Sequence, residues 1–340
     1  MERNILIVGG AGYIGSHTVV EMLRAGLSVI IFDNLSNSSR VVLSRIAKLT
    51  GRQPIFIEGD IRDRIALRNT FKNHSITAVI HFAGLKAVGE SEAQPLKYYD
   101  NNVSGSIVLF EEMQRAGVQT IVFSSSATVY GDPGYSQYRE DTPLAPVNVY
   151  GRTKLMVEGI LLDMKKSRPS WRVASLRYFN PVGAHISGMI GEHPTGVPNN
   201  LMPFIAQVAT GKREKLHVFG GDYPTPDGTG RRDYIHVEDL AVGHLAALNK
   251  LMDSDDDPLI IVNLGTGRPY SVLEMVQAFE KASNSSVAFE IVGRRAGDLA
   301  EYYADPTQAN TILGWRARLG IERMCEDTWR WQTNNPNGYL

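Results

Sequence analysis

Gly9-Gly10-Ala11-Gly12-Tyr13-Ile14-Gly15 follows directly on the apolar run Asn4-Ile5-Leu6-Ile7-Val8, and these twelve residues decide how the chain is read. A short β-branched run that breaks into spaced glycines and then into the amphipathic stretch Ser16 to Ala25 reads as strand, tight turn and helix. Glycines at positions 9, 12 and 15 let the turn take φ > 0, bring backbone N–H groups up to a pyrophosphate, and allow the helix to pack closely on the strand. The first-turn N–H groups and the positive end of the helix dipole then face the phosphates.

A glycine cluster alone also fits an ordinary βα turn, so its context carries the reading. The next apolar run, Leu27 to Phe32, ends in Asp33, where an acid accepts hydrogen bonds from an adenine ribose and repels a 2′-phosphate. That pattern predicts NAD rather than NADP. Asp33 also suits the first position of the turn Asp33-Asn34-Leu35-Ser36, and that alternative stays open.

Beyond Asp33 strand-like and helical runs keep alternating. Ile55 to Asp60 reads as strand, with helix to about His74, and Ala78 to Gly84 as strand, followed by a long helix through Gln114. Thr120 to Ser124 and Trp171 to Tyr178 are further strands. The alternation predicts βαβ units in an α/β fold with a doubly wound parallel sheet. From Asn180 the composition changes, with Gly and Pro dense between Pro181 and Pro203 and again between Gly220 and Gly230, as in loops that cover a site. A smaller α/β substrate domain is therefore expected from residue 181 to 340 behind a dinucleotide domain of residues 1 to 180. Strand-like Leu259 to Leu264 and helical Ser271 to Ala282 leave room for later elements to return to the first sheet.

The totals fit that picture and exclude several others. At 340 residues, 43% hydrophobic and 21% charged, the chain is long enough for a large sheet with a second domain. A formal net charge of -1 argues against an electrostatic grip on nucleic acid or an anionic membrane. One cysteine, Cys325, permits neither an internal disulfide nor a thiolate cage, and the eight histidines include no pair at short ligand spacing, so no metal is expected. The chain opens on its first strand and no apolar run approaches membrane-spanning length, so the expected compartment is the cytoplasm.

Chemistry is concentrated in two segments. Tyr150-Gly151-Arg152-Thr153-Lys154 opens a helical stretch and places tyrosine and lysine on one face. A lysine ammonium and a positive nicotinamide ring beside the phenol favour phenolate, lower its pKa toward neutrality, and let Tyr150 take a proton from a substrate hydroxyl. Ser124-Ser125-Ser126-Ala127-Thr128 lies at the carboxyl end of a strand, where ligands of open parallel sheets bind, and Ser126 can relay that proton. The serines equally suit backbone groups at a strand end.

With those residues in place, the chain resembles the UDP-hexose 4-epimerases of the extended short-chain dehydrogenase/reductase family over nearly its whole length. The shared segments are Gly9 to His17, His81-Phe82-Ala83-Gly84-Leu85-Lys86 through Ser91, Ser124 to Gly131, Arg177 to Ala184, Pro198 to Pro203, Asp227 to Gly230 and Arg232 to Val237. The resemblance implies NAD held by Gly9, Gly12, Tyr13, Ile14, Gly15, Asp33, Asn34, Asp60, Ile61, Phe82, Ala83, Gly84, Lys86, Asn101, Ser126, Tyr150, Lys154 and Phe179. For the UDP-sugar it implies Lys86, Ser126, Tyr150, Asn180, Asn200, Leu201, His217, Phe219, Arg232, Arg295, Asp298 and Tyr302. It further implies interconversion of UDP-glucose and UDP-galactose, with hydride leaving C4 for NAD and returning to the opposite face of a 4-keto sugar.

The resemblance has departures and rivals. Arg295-Ala296-Gly297-Asp298 lacks the family's usual glutamate at 296, and Arg231 is an extra charge before Arg232. A sugar-nucleotide dehydratase needs an acid beside its catalytic hydroxyl, whereas Ala127 and Val129 flank Thr128. A non-catalytic NAD sensor would not need Ser126, Tyr150 and Lys154. The resemblance also implies that Tyr302, four residues after Asp298, fills the space beside C2 of the sugar and excludes N-acetylated substrates, unless a one-residue slip turns Tyr303 there instead. By the same resemblance, apolar residues of the stretch Tyr98 to Gln114 (Val103, Ile107, Leu109, Phe110, Met113) and of the helix opened by Tyr150 (Leu155, Met156, Ile160, Leu161) form a four-helix bundle in a homodimer.

Overall fold

A computed structural model describes residues 4–339 apart from 195, 197, 199, 255, 257 and 296. The first part of the chain alternates as β1 (Asn4–Val8), α1 (Tyr13–Arg24), β2 (Ser28–Asp33), α2 (Val41–Thr50), β3 (Ile55–Glu58), α3 (Arg64–Asn73) and β4 (Ile76–His81). Next come α4 (Val88–Ala93), α5 (Pro95–Tyr98), a π-helical turn (Tyr99–Ser104), α6 (Gly105–Ala116), β5 (Thr120–Ser126), β6 (Gln137–Tyr138), α7 (Val149–Ser167) and β7 (Arg172–Tyr178). The second part holds β8 (Asn180–Val182), α8 (Leu201–Ala209), β9 (Leu216–Phe219), β10 (Arg231–His236), α9 (Val237–Asp253) and β11 (Leu259–Leu264). It closes with β12 (Pro269–Ser271), α10 (Val272–Ser283), β13 (Phe289–Val292), β14 (Glu301–Ala304), α11 (Thr307–Leu313) and α12 (Ile321–Asn334).

Seven strands form one parallel sheet in the order β11-β7-β5-β4-β1-β2-β3. Both faces are buried, because successive strand residues point opposite ways and both sets are apolar. Ile5, Ile7, Ile31, Ile80 and Val122 pack on one side with residues of α1, α2 and α9. Leu6, Val8, Ile30, Phe32, Val79 and Phe123 pack on the other with residues of α3, α6 and α7. The sheet is doubly wound, as the alternation predicts, and the later chain contributes both α9 and its edge strand β11. A separate core of Val182, Met202, Ile205, Leu216, Met275, Phe279 and Met324 gathers α8, α10 and α12. Beside it β12, β10, β14 and β6 form a smaller sheet, with β8 paired to β10.

The single long helix expected before Gln114 is instead broken twice. Pro95 starts α5 and holds Gln94 at φ -132, ψ 59, outside helical space, because the ring crowds the preceding residue. Residues 99–104 then widen into a π turn before α6 resumes. Leu109, Phe110 and Met113 of α6 and Leu161 of α7 are buried in the chain's own core, so that much of the expected bundle face is consumed internally. Ile107 and Met156 remain exposed.

Candidate active site

The strand order reverses between β1 and β4, the place where open α/β sheets bind nucleotides. The glycine turn after β1 and the segment after β4 meet there. Gly9 has φ +81, and a Cβ on it would lie 2.6 Å from the Ala83 nitrogen; a Cβ on Gly15 would lie 2.3 Å from the Gly9 oxygen. These two glycines therefore permit close approaches that no other residue could make. Gly12 opens α1 with no side-chain cap, which leaves first-turn N–H groups for an anion. A pyrophosphate fits this cradle.

Asp33 is nine-tenths buried, and its carboxylate accepts from the Ala11 amide at 3.0 Å, the Leu35 amide at 2.8 Å and the Ser38 hydroxyl at 3.0 Å. It braces the glycine turn as well as its own turn, and with about four lone-pair positions on a carboxylate it keeps capacity for a ribose hydroxyl. Asn34 donates to Asp60 at 3.0 Å, while the Arg62 guanidinium bridges Asp60 and Asp100 and holds the Asp60 carboxyl far below the usual carboxylate range. Ile61 is core, Tyr13 donates its hydroxyl to the Gly183 carbonyl at 2.7 Å, and Ile14 is half-buried against α1's neighbours. After β4, Phe82 packs on His244 with centroids 4.7 Å apart, and Gly84 is exposed. Asn101 donates to Asn102, which in turn binds both backbone groups of Leu85 at 2.8 and 2.9 Å and reaches Thr153 at 3.1 Å. The π turn thus ties the loop after β4 to α7.

Ser126, Tyr150 and Lys154 come together where β5 ends against the first turns of α7. That helix starts firmly: Asn148 accepts from the Gly151 amide, and Ser91 and Glu92 of α4 accept from the Tyr150 and Val149 amides. The Ser126 hydroxyl accepts from the Thr128 amide and hydroxyl and interacts with the Tyr150 phenol. Lys154 is buried, donates to the Ser124 carbonyl at 2.7 Å and lies 5.9 Å from the Tyr150 ring centroid. Burial pulls its pKa down to about 8. The sequence predicts a depressed phenol, but burial pushes Tyr150 well above the ordinary tyrosine range, with the Ser126 hydroxyl pulling the other way. The protein's side chains alone do not supply the expected depression, because Lys154 is turned onto a carbonyl.

On the nucleotide side, Tyr302 donates to Asn180 at 3.2 Å, and Arg232 lies 4.7 Å over its ring. The same ring stacks on Tyr138 at 5.9 Å and 18° and sits 5.9 Å from Phe179. Strand β14 pairs Tyr302 with Arg232 and Tyr303 with Gln137, so Tyr302 is the tyrosine that meets these residues. Asp298 accepts from Arg295 at 3.1 Å and faces Arg232 at 3.7 Å, while Arg295 covers Phe219 at 4.6 Å. His217 points outward on β9. Arg231 pairs with Glu301 and donates to the Pro269 carbonyl, which accounts for the extra charge, and Ala296 lies outside the described residues. Asn200, beside Leu201 at the start of α8, donates to Glu192 at 2.8 Å, and Lys86 donates to the same carboxylate at 3.1 Å. Glu192 and Asn102 carry no motif of their own, so the sequence offered no signal for either. His236, Glu238 and Asp327 cluster below Gly183, but Asp327 is taken by Arg323 and Arg330.

A cradle for a pyrophosphate at the switch point and a serine-tyrosine-lysine group at the next strand end define a dinucleotide-dependent enzyme acting on a hydroxyl carbon. The chain belongs to the NAD dependent epimerase/dehydratase family, whose sequence profile matches residues 5–265. The UDP-glucose 4-epimerases of Neisseria meningitidis serogroup A and Bacillus subtilis are each 58% identical to it, over 338 residues (99% of both chains) and 335 residues (98% of both chains) respectively. The crystal structure of UDP-glucose 4-epimerase from Bifidobacterium longum in complex with NAD+ and UDP is 49% identical and superposes with a TM-score of 0.94 over 98% of this chain and 99% of its own.

Proposed function

We propose that the chain interconverts UDP-glucose and UDP-galactose by inverting C4 through a transient 4-keto sugar. The observation that carries the reading is the meeting of Ser126, Tyr150 and Lys154 beside the glycine cradle, in a chain 58% identical to UDP-glucose 4-epimerases. Gly9, Gly12 and Gly15 admit the pyrophosphate of NAD, with Asp33 and Asn34 toward the adenine ribose and Phe82, Lys86 and Phe179 along the rest. NAD held there would supply the hydride acceptor and donor that inversion at C4 needs, with no net redox change. Tyr150 takes the 4-hydroxyl proton and gives it back, Ser126 holds the phenol and the sugar oxygen, and the Lys154 ammonium stabilises phenolate. Arg232 and Arg295 offer planar donor forks to the diphosphate, and Asp298 accepts from a ribose hydroxyl.

Two neighbouring activities fit less well. The acid that a dehydratase needs is missing at Ala127 and Val129, and in this reading the Tyr302 ring takes the space that an N-acetyl group would need. Incubation with UDP-glucose, UDP-galactose and their N-acetyl counterparts, with products resolved by chromatography, tests the assignment; no interconversion of the first pair overturns it. A homodimer through α6 and α7 is part of the proposal, supported by exposed Ile107, Met156 and Leu162, and light scattering that finds only a 37.5 kDa species at micromolar concentration refutes it. No helix among the described residues is long and apolar enough to cross a membrane. The cytoplasmic reading rests on the NAD-linked chemistry and the lone buried cysteine.

A further inference from the structure

Tyr150, Lys154 and Glu158 follow one another at one-turn intervals along α7, and each meets a group of the Ser124-Ser125-Ser126 run on β5. Tyr150 interacts with the Ser126 hydroxyl, Lys154 binds the Ser124 carbonyl, and Glu158 accepts from the Ser125 hydroxyl. Glu158 is 2% exposed and Arg177 3%, with Nη2 of the arginine 2.7 Å from the carboxylate and Nε at 3.0 Å. Arg177 continues to the Tyr130 hydroxyl at 3.1 Å and the Glu140 carbonyl at 3.2 Å. An ion pair this deep costs desolvation that an apolar pair of the same volume avoids, so stability alone does not account for it.

We propose that Glu158 is a positioning residue of the reaction: pinned by Arg177 and Ser125, its carboxylate holds the Lys154 ammonium in its charged form beside Tyr150. The inference rests on Tyr150 and Lys154 acting as proposed above. Among the described residues, the other groups around the lysine do not supply a negative charge. On β5 it meets neutral hydroxyls, the Ser124 carbonyl and the face of the Phe123 ring at 4.9 Å, none of which carries a net charge; on β7, Arg177 and Tyr178, whose phenol burial raises to about 12. His81 of β4 is neutral, its pKa lowered to about 3 by burial and by Lys154 itself, and Tyr98 of α5 faces Tyr150 rather than the lysine. Tyr130 and Glu140 lie beyond Arg177. Burial draws Lys154 toward its neutral form, and Glu158 is the charged group that opposes it. Without that carboxylate, the stranded Arg177 charge acts in the same direction as burial.

The test is the pH profile of kcat for the NAD-loaded protein carrying Glu158→Gln or, separately, Arg177→Met. Glu158→Gln is expected to move the alkaline limb about one unit downward, about a tenfold loss at a pH on that limb, with KM little changed. Arg177→Met leaves a net negative charge near Lys154, so its limb stays in place or moves upward. Opposite displacement is the signature, and if only one variant folds, its direction decides. An unmoved limb in Glu158→Gln, a downward shift in Arg177→Met, or a uniform loss at every pH overturns the proposal. A Tyr150→Phe protein that keeps its turnover overturns the reading of the site itself, without any Glu158 variant.

Discussion

Replacing Tyr302 by cysteine probes how the sugar is selected. The ring is held from several sides, by Tyr138 stacked on it, Phe179 beside it, Arg232 over its face and Asn180 on its hydroxyl. A ring so placed cannot swing aside without breaking these contacts. An acetamido group at C2 would then overpack the site by roughly 1–3 kcal/mol. That converts to about tenfold to a hundredfold lower kcat/KM for UDP-N-acetylglucosamine than for UDP-glucose in the unaltered protein. Tyr302→Cys removes the ring, so the ratio should fall toward one while activity on UDP-glucose drops, since Arg232 and Asn180 both lose a partner. Losing a half-buried aromatic should also cost about 2 kcal/mol of stability. Steady-state kinetics on both sugar pairs, with thermal melts of the same preparations, read all three effects. The reasoning fails if the unaltered protein turns over UDP-N-acetylglucosamine within about threefold of UDP-glucose, or if Tyr302→Cys lowers both activities without changing their ratio.

Tyr150→Phe should reduce kcat by roughly 10²–10⁴-fold with little change in KM and an intact fold, because the hydroxyl acts on the proton moving in the transition state; substantial retained turnover would transfer the proton to Ser126. NAD should co-purify and be released on denaturation, and Gly15→Ala should empty the preparation of it, since the added Cβ would lie 2.3 Å from the Gly9 oxygen; full occupancy of that variant would show the turn to be slack. Burial lowers the pKa values of His17 and His81 to about 3 and those of His185 and His244 to about 4, so the folded state holds these rings neutral while the unfolded chain protonates them near 6.5. The unfolded state therefore binds more protons between about pH 4 and 6.5, and stability present above that window is lost as pH falls through it. Melting temperature should drop steadily from pH 7 to pH 5, and a flat profile would contradict the burial of these rings.

What the sequence determined by itself is the local machinery. A β-branched run, spaced glycines and an amphipathic stretch specify β1, the turn and α1, because chirality and side-chain periodicity act within a dozen residues. Helical spacing likewise put Tyr150 and Lys154 on one face, and the alternation of strands and helices fixed a parallel, doubly wound sheet. Other features depended on partners remote in sequence. Pairing of β14 with β10 decided that Tyr302 rather than Tyr303 meets Arg232, since a strand with period two reverses its faces on a one-residue slip. Tertiary packing turned the Asp33 carboxylate onto Ala11, widened residues 99–104 so that Asn102 clasps Leu85 and Thr153, and sent Leu109 and Phe110 into the core while Ile107 stayed outside. Glu192 meets Lys86 and Asn200 only because the chain folds back over the site. Periodicity names the face of an element; only the neighbours brought in by folding decide what that face touches.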